Sequence, residues 1–412
     1  MAHFIGVDIG GTVIKSGLYD EHGKEKAVAS LNDTPVAGPV GWSERDMRSM
    51  WQTVCATIRK VIADSGVAPS EIKGVSFSAH GKGLYAVDIN GEPVRNGIIS
   101  SDNRALPIVR EWKSRNVDKA AYPYAFQQVW AGHPVSILAW LKANEADSYN
   151  RIHRVLMAHD WVRYKLTGEF GAEITNISGS NLYNVDTGAY EPELFKLFGI
   201  DEMQECVAPV IGSTESRSGV SAKAAEETGL VAGTPVFGGF FDVVSAAVCA
   251  GLADERFINV VMGTWTIETW IADHIPAAEH PYTWGRYCIP GKYFVHEGSP
   301  TSASNLEWFV RNFMADVAKP LMPGVIGFLD EYARMAVQVF LVVSGFLFAT
   351  RFTPASPALG APLALLFQRY TRLVVPYSAA LLLAIACSAV AGVWMEHRSI
   401  SEPPDLGQLL AH

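Results

Sequence analysis

Phe4-Ile5-Gly6-Val7-Asp8-Ile9-Gly10-Gly11-Thr12-Val13-Ile14-Lys15-Ser16-Gly17-Leu18-Tyr19 is the stretch whose reading decides the fold. Phe4–Asp8 alternates and runs into a Gly-Gly turn, after which Val13–Tyr19 reads as a second strand. Asp20-Glu21-His22-Gly23 makes another turn, and Glu25–Ser30 reads as a third strand. Three successive strands on short turns predict an antiparallel meander, not a strand–helix–strand crossover.

Outward from that start, apolar spacing predicts an amphipathic helix over Met47–Ser65. Ile72–Ser76 and Leu84–Val87 read as strands around the polar turn Ala79-His80-Gly81-Lys82-Gly83. Pro107–Arg115, Pro134–Glu145 and Ala158–Leu166 read as helices. Thr234–Gly238 is expected as a buried strand entering Gly239, with a helix over Asp242–Gly251 and a further strand over Asn259–Met262.

A chain of 412 residues predicts two or more domains. Its net charge of −9 gives no help to nucleic-acid or anionic-membrane binding. The five cysteines are scattered without a CxxC pair, which argues against a disulfide framework or a zinc site and suits a reducing cytosol. The start of the chain lacks the basic and apolar regions of a signal peptide.

Three constellations carry chemistry. In Asp8-Ile9-Gly10-Gly11-Thr12, glycine lets backbone amides approach a phosphate, Thr12 adds a hydroxyl donor, and Asp8 suits a magnesium ion held through water. The bland reading is a hairpin turn that merely needs glycine. In Gly238-Gly239-Phe240-Phe241-Asp242, a carboxylate at a strand end can take a proton from an attacking hydroxyl. The bland reading there is an N-cap aspartate. Met262-Gly263-Thr264-Trp265 repeats the Gly-Thr logic, again against a plain turn.

Taken in that order and at those separations, the three resemble the FGGY carbohydrate kinases of the actin-like ATPase superfamily. Ser78-Ala79-His80-Gly81-Lys82-Gly83, Ser100-Ser101-Asp102-Asn103-Arg104-Ala105 and His159-Asp160 before Lys165-Leu166-Thr167-Gly168 agree. Within the family the wording is most similar to L-xylulose kinases, through Gly41-Trp42-Ser43-Glu44-Arg45-Asp46-Met47, Gly132-His133-Pro134-Val135-Ser136, Asn176-Ile177-Ser178 and Ser299-Pro300-Thr301-Ser302. The likeness runs from about Phe4 to about Met314.

The resemblance implies an α/β, actin-like (ribonuclease H-like) domain over residues 1–245 and the truncated start of a second over 246–320. It implies ATP and Mg²⁺ as cofactors, a ketopentose as substrate, a cytoplasmic enzyme and a homodimer. Asp242 matches the catalytic base. Asp8, Gly11, Thr12 and Lys15 match the first phosphate loop, Asp8 serving the metal, and Gly263 and Thr264 match the second. His80, Gly81 and Asp102 match sugar contacts, with Arg104 near them. An ordinary loop histidine stays open for His80, and a solvated charge for Lys82.

No glycine-rich adenosine-holding turn follows Trp308. Instead residues 325–412 carry two apolar runs, 335–350 and 377–394, with Arg369-Tyr370-Thr371-Arg372-Leu373 between them. A membrane span needs ~20 mostly apolar residues. These runs resemble early membrane helices of the acyltransferase 3 family, which lets the alternative stand: a catalytically impaired kinase joined to a membrane fragment.

Overall fold

β1 (His3–Ile9), β2 (Val13–Asp20) and β3 (Glu25–Asn32) form the antiparallel meander that the alternating pattern implies, with Asp8 opposite Lys15 and Ile9 opposite Ile14. The computed structural model describes residues 1–262, 266–275 and 283–299, all within the compact unit Met1–Asn312. Among the described residues no helix is long and apolar enough to cross a membrane. The runs 335–350 and 377–394, and with them the acyltransferase-like fragment, lie outside the described residues.

α1 occupies Met47–Ser65, as its periodicity predicts. Asp46 caps it by accepting the Arg48 and Ser49 amides, and Gly66 ends it in a left-handed conformation. Its buried residues include Met47, Met50, Trp51, Val54, Ile58 and Val61, the spacing of one helical face, and that face packs on β2 and β3. A buried hydroxyl pair, Ser16 Oγ to Thr57 Oγ1 at 2.8 Å, fixes the contact.

β4 (Ile72–Ala79) runs parallel to β1, three residues longer than the sequence suggests, so that Ser78 lies beside Asp8 and Ala79 beside Ile9. Leu84–Val87 does not form the expected strand. Its amides reach alternately to the Ile98, Leu156 and Arg154 carbonyls, and only isolated bridges result. Two partners competing for opposite sides of so short a segment leave no continuous ladder.

α2 (Leu106–Ser114), α3 (Val117–Ala125) and α4 (Pro134–Asn144) build a second apolar core around Val109, Trp112, Ala121, Leu138 and Leu141. α5 (Ala158–Thr167) and the single turn α6 (Ile174–Ile177) follow.

β5 (Ser218–Gly219), β6 (Pro235–Val236) and β7 (Phe240–Phe241) complete a sheet that is seven-stranded among the described residues, in the order β5-β6-β4-β1-β2-β3 with β7 also on β4. Of the strand expected over Thr234–Gly238 only Pro235–Val236 forms, as β6, and β7 follows beyond it. Gly239 between them has φ +86°, and a Cβ there would stand 2.8 Å from Phe77 Cβ, so the chain crosses over β4 only through glycine.

α7 (Asp242–Cys249) leads to a second, antiparallel sheet of β8 (Asn259–Met262), β9 (Thr266–Ala272), β10 (Thr283–Arg286) and β11 (Tyr293–Ser299), ordered β8-β9-β11-β10. The Trp284 amide donates to Phe126 O at 3.0 Å and the Arg286 amide to Ser178 Oγ at 3.0 Å, which docks β10 against the α3 and α6 region.

Candidate active site

Parallel strands bring their carboxyl ends to one edge, and ligands of open α/β sheets bind at such an edge. Here β1 ends at the Gly10–Thr12 turn, β4 at His80-Gly81-Lys82, and β7 at Asp242. Asp8 and Phe240 are both register partners of Ser78, one on each side of β4. Adjacent strands lie about 4.8 Å apart, so these two backbones are only about 10 Å apart. The first two constellations therefore converge. Gly263 and Thr264, the third, lie outside the described residues.

The first turn is closed by the Gly10 amide on Val13 O at 3.1 Å and pinned from beneath by Arg45. The fully buried Arg45 guanidinium donates to Gly10 O at 2.8 Å and to Asp33 O at 2.9 Å, and its Nε lies 2.6 Å from the Asp33 carboxylate. Gly11 and Thr12 remain exposed, with nothing within 4 Å of the position a Gly11 Cβ would take. Asp8 is half-buried, and burial raises its pKa while Lys15 opposes the shift. A carboxylate disfavoured by burial beside an open, amide-bearing turn suits a phosphate-bound magnesium ion. Among the described residues no cluster of three metal-ligating side chains exists, and Mg²⁺ of this kind takes only one or two protein carboxylates, its remaining sites going to phosphates and water.

Asp242 is the first residue of α7 and not its N-cap, a place taken by Phe241. Burial raises the Asp242 pKa to about 6; the Val243 amide, bound to Oδ1 at 2.7 Å, opposes this, and the charge of Asp8 adds to it. The Phe241 amide donates to Thr175 Oγ1 at 2.9 Å, and Thr175 Oγ1 in turn donates to Glu173 Oε2 at 2.7 Å. Glu173 also accepts from Ser213 Oγ and lies 3.6 Å from His159 Nε2. On the other side, Gly81 leaves room for the Phe241 ring, whose Cε2 would stand 2.3 Å from a Gly81 Cβ. Gly81 thus shapes the wall next to the carboxylate.

The remaining expected sugar contacts divide. The His80 ring is buried with both nitrogens engaged, Nδ1 with Ile9 O at 3.1 Å and Nε2 with Tyr85 Oη at 2.9 Å. Burial and then the Arg45 charge lower its pKa to about 4, so it is neutral at pH 7. Asp102 accepts from Arg104 N, Nε and Nη2 and from the Ser43 amide at 2.6–2.9 Å. Arg104 stacks 3.8 Å from the centre of the Trp42 ring and also pairs with Glu44. Only Arg104 Nη1 in that network is buried without a partner. In this structure Asp102 and Arg104 serve each other first.

Lys82 is not a solvated charge. It is 3% exposed at φ +62°, its amide donates to Asn176 Oδ1 at 2.8 Å, and burial lowers its pKa to about 8 against the attraction of Asp242. It lines a pocket with Thr175, Asn176, Gly179, Phe241 and His296. Sequence reasoning gave no role to Arg45 or Thr175. Arg45 stood only inside the quoted Gly41–Met47 segment and Thr175 inside none, since a buried guanidinium and a bridging hydroxyl act through partners distant in the chain.

Residues 3–249 match the N-terminal domain of the FGGY family of carbohydrate kinases. The chain is 46% identical over 319 residues to a probable L-xylulose kinase of Pasteurella multocida, covering 77% of this chain and 66% of that protein. It is 47% identical over 308 residues to the L-xylulose/3-keto-L-gulonate kinase of Escherichia coli K12, covering 74% and 62%. The structure is similar to that of xylulose kinase from Lactobacillus acidophilus, with TM-score 0.72 and 20% identity over 77% of this chain and 64% of that one. The chain thus spans just under two thirds of the length of these relatives. With the meander, the converging strand ends and more than half of its residues matched, the chain belongs to the FGGY family of carbohydrate kinases.

Proposed function

We propose that this chain performs the sugar- and phosphate-binding part of an ATP-dependent ketose kinase that converts L-xylulose to L-xylulose 5-phosphate. The observation that carries the reading is the shared register of Asp8 and Phe240 on Ser78, which brings the strand ends leading to the Gly11-Thr12 turn and to Asp242 to one edge of the sheet. The names of the two relatives above, both kinases of L-xylulose, support the choice of ketose. Residues 1–245 would form the sugar and phosphate domain and 246–320 the start of the second.

ATP with Mg²⁺ supplies the transferable phosphoryl group when bound. Asp242 takes the proton of the attacking hydroxyl, and a carboxylate with a pKa of about 6 is ionised yet basic enough to do so near neutrality. Asp8 would hold the metal, and the Gly11 and Thr12 amides with the Thr12 hydroxyl and Lys15 would hold phosphate oxygens. Gly263 and Thr264 would supply a second set of donors. His80 and Gly81 act on the sugar through the wall they shape, His80 by anchoring β4 to β1 and Gly81 by admitting Phe241. Arg104, with its unfilled Nη1, and Asp102 would close the far side.

The test is phosphorylation of L-xylulose by the purified full chain with Mg-ATP, followed by ADP release. Turnover that disappears in Asp242→Asn supports the reading. Absence of both turnover and ketose binding in the unaltered chain overturns it.

A further inference from the structure

Behind the wall that carries Asp242 lies a buried acid–imidazole cluster that the proposed reaction leaves unused. His159, Asp160 and Glu173 are all 0% exposed. His159 Nε2 stands 3.7 Å from Asp160 Oδ1 and 3.6 Å from Glu173 Oε2. That is too far for a full hydrogen bond to either and close enough for charge to act. Two carboxylates buried this close to one nitrogen are tolerable only if that nitrogen bears a proton. The other side of the ring agrees. Asn176 Oδ1 is taken by the Lys82 amide at 2.8 Å, which turns Nδ2 toward His159 Nδ1 at 3.4 Å and makes Nδ1 the acceptor.

The cluster governs α6. A helical turn of four residues has no stability of its own, and Glu173 supplies it. Its carboxylate accepts the Thr175 and Asn176 amides at 2.9 and 3.2 Å and the hydroxyls of Thr175 and Ser213 at 2.7 and 2.5 Å. Asp160 holds Glu173 in turn, accepting its amide at 2.9 Å.

From α6 two bonds run forward. Thr175 Oγ1 accepts the amide of Phe241, the residue before Asp242, and Asn176 Oδ1 accepts the amide of Lys82. Lys82 stands at φ +62°, a backbone conformation that is costly for a residue with a side chain and persists only with outside support. Phe241 and Lys82 line the same pocket, the ammonium 5.6 Å from the centre of the ring. Two segments that border the proposed base, distant in the chain, thus hang on adjacent residues of one turn.

We infer that His159 is a positioning residue: its Nε2–H, held between Asp160 and Glu173, fixes the turn that aligns Phe241-Asp242 and Lys82 together. It acts through Glu173 and α6, and it rests on the kinase reading above for the reaction that it serves.

Two variants of the full chain test it. His159→Leu removes the proton between the carboxylates, and His159→Gln returns an N–H to the same place. Hydrogen–deuterium exchange read by mass spectrometry needs no turnover. In His159→Leu the segments around Lys82 and Phe241 should exchange about 10-fold faster while β1 and α1 stay as they are, and His159→Gln should restore part of the protection. In L-xylulose turnover kcat should fall about 10-fold with KM little changed, again partly restored by Gln. Exchange that rises evenly along the chain, or not at all in those two segments, overturns the inference and makes His159 a plain core residue. A fall in kcat/KM carried by KM alone overturns it too. If neither variant folds, the unaltered protein decides: NMR of the ring nitrogens at pH 8 should find the His159 proton on Nε2, and a proton on Nδ1 alone overturns the inference. If the unaltered chain turns over no ketose, the kinase reading falls, and the exchange pattern still judges this one.

Discussion

The Phe241 amide donates to the hydroxyl of Thr175 at 2.9 Å, across 66 positions of sequence. Phe241 is the residue before the proposed base, so this bond and the one from Thr175 to Glu173 set the direction in which Asp242 enters the cleft. The carboxylate itself accepts the Val243 amide. Its aim is decided by α6, an element far from it in the chain.

Thr175→Val keeps the shape of the side chain and removes the acceptor. The Phe241 N–H is then buried unfilled, at about 1–3 kcal/mol. Turnover of L-xylulose should fall about 10-fold or more with KM little changed, since aim and not sugar contact is lost. Steady-state kinetics check this; an equal rise in KM would point to a collapsed pocket instead.

Asp242→Asn should lower kcat by about 100- to 10,000-fold, the range for a lost general base. The affinity for sugar, read by calorimetry, should stay within a few-fold. In the unaltered protein kcat/KM should rise with pH through about 6, the value to which burial brings Asp242.

The same substitution should raise stability by an amount that depends on pH. Folding raises the Asp242 pKa from 3.8 to about 6, so the unfolded chain releases this proton first. Below pH 3.8 both states hold the proton and the residue contributes nothing; stability is lost as pH climbs from there to about 6, and the loss then stays constant. Asn has no proton to lose. Thermal melts should show Asp242→Asn gaining a few degrees over the unaltered protein at pH 8 and less at pH 4.5.

Arg45→Met leaves the Asp33 carboxylate buried without its ion pair and frees the Gly10 carbonyl. Removing one partner of a buried pair costs about 3–5 kcal/mol. Urea unfolding should register that loss, and Asp33→Asn in the same chain should restore part of it, because the orphaned charge is gone. A loss under about 1 kcal/mol would mean that Arg45 does not brace the turn.

Gly81→Ala forces a methyl group to within 2.3 Å of the Phe241 ring. The ring must move or the strand must shift, at about 1–3 kcal/mol. Activity should suffer more than the melting temperature does, because Phe241 immediately precedes Asp242.

Much of this site was legible in the chain itself wherever the controlling forces are local. The alternation of Phe4–Asp8, the Gly10-Gly11 turn and the apolar stripe of Met47–Ser65 depend on neighbours within a few residues, and the structure repeats them nearly residue for residue. Asp242 at a strand end before a helix was equally readable, since a β-to-α transition is signalled by Gly238-Gly239. Leu84–Val87 shows the limit. Its composition suits a strand, but ladder formation needs one partner along its whole length, and two partners competed for it.

The roles of polar residues belonged to the tertiary structure. His80, Asp102 and Arg104 carry chemistry suited to a sugar, yet only the folded arrangement shows how much of their bonding capacity the protein consumes internally. Lys82 ran the other way: the sequence left a solvated charge open for it, and the fold makes it a buried ammonium without a hydrogen bond among the described residues. Local sequence determined the strands, turns and helix faces, because backbone geometry and apolar spacing act over short range. Which side chains are desolvated together, and which are left with unfilled bonds, was decided by contacts between segments tens to hundreds of residues apart, because burial is a property of the assembled core.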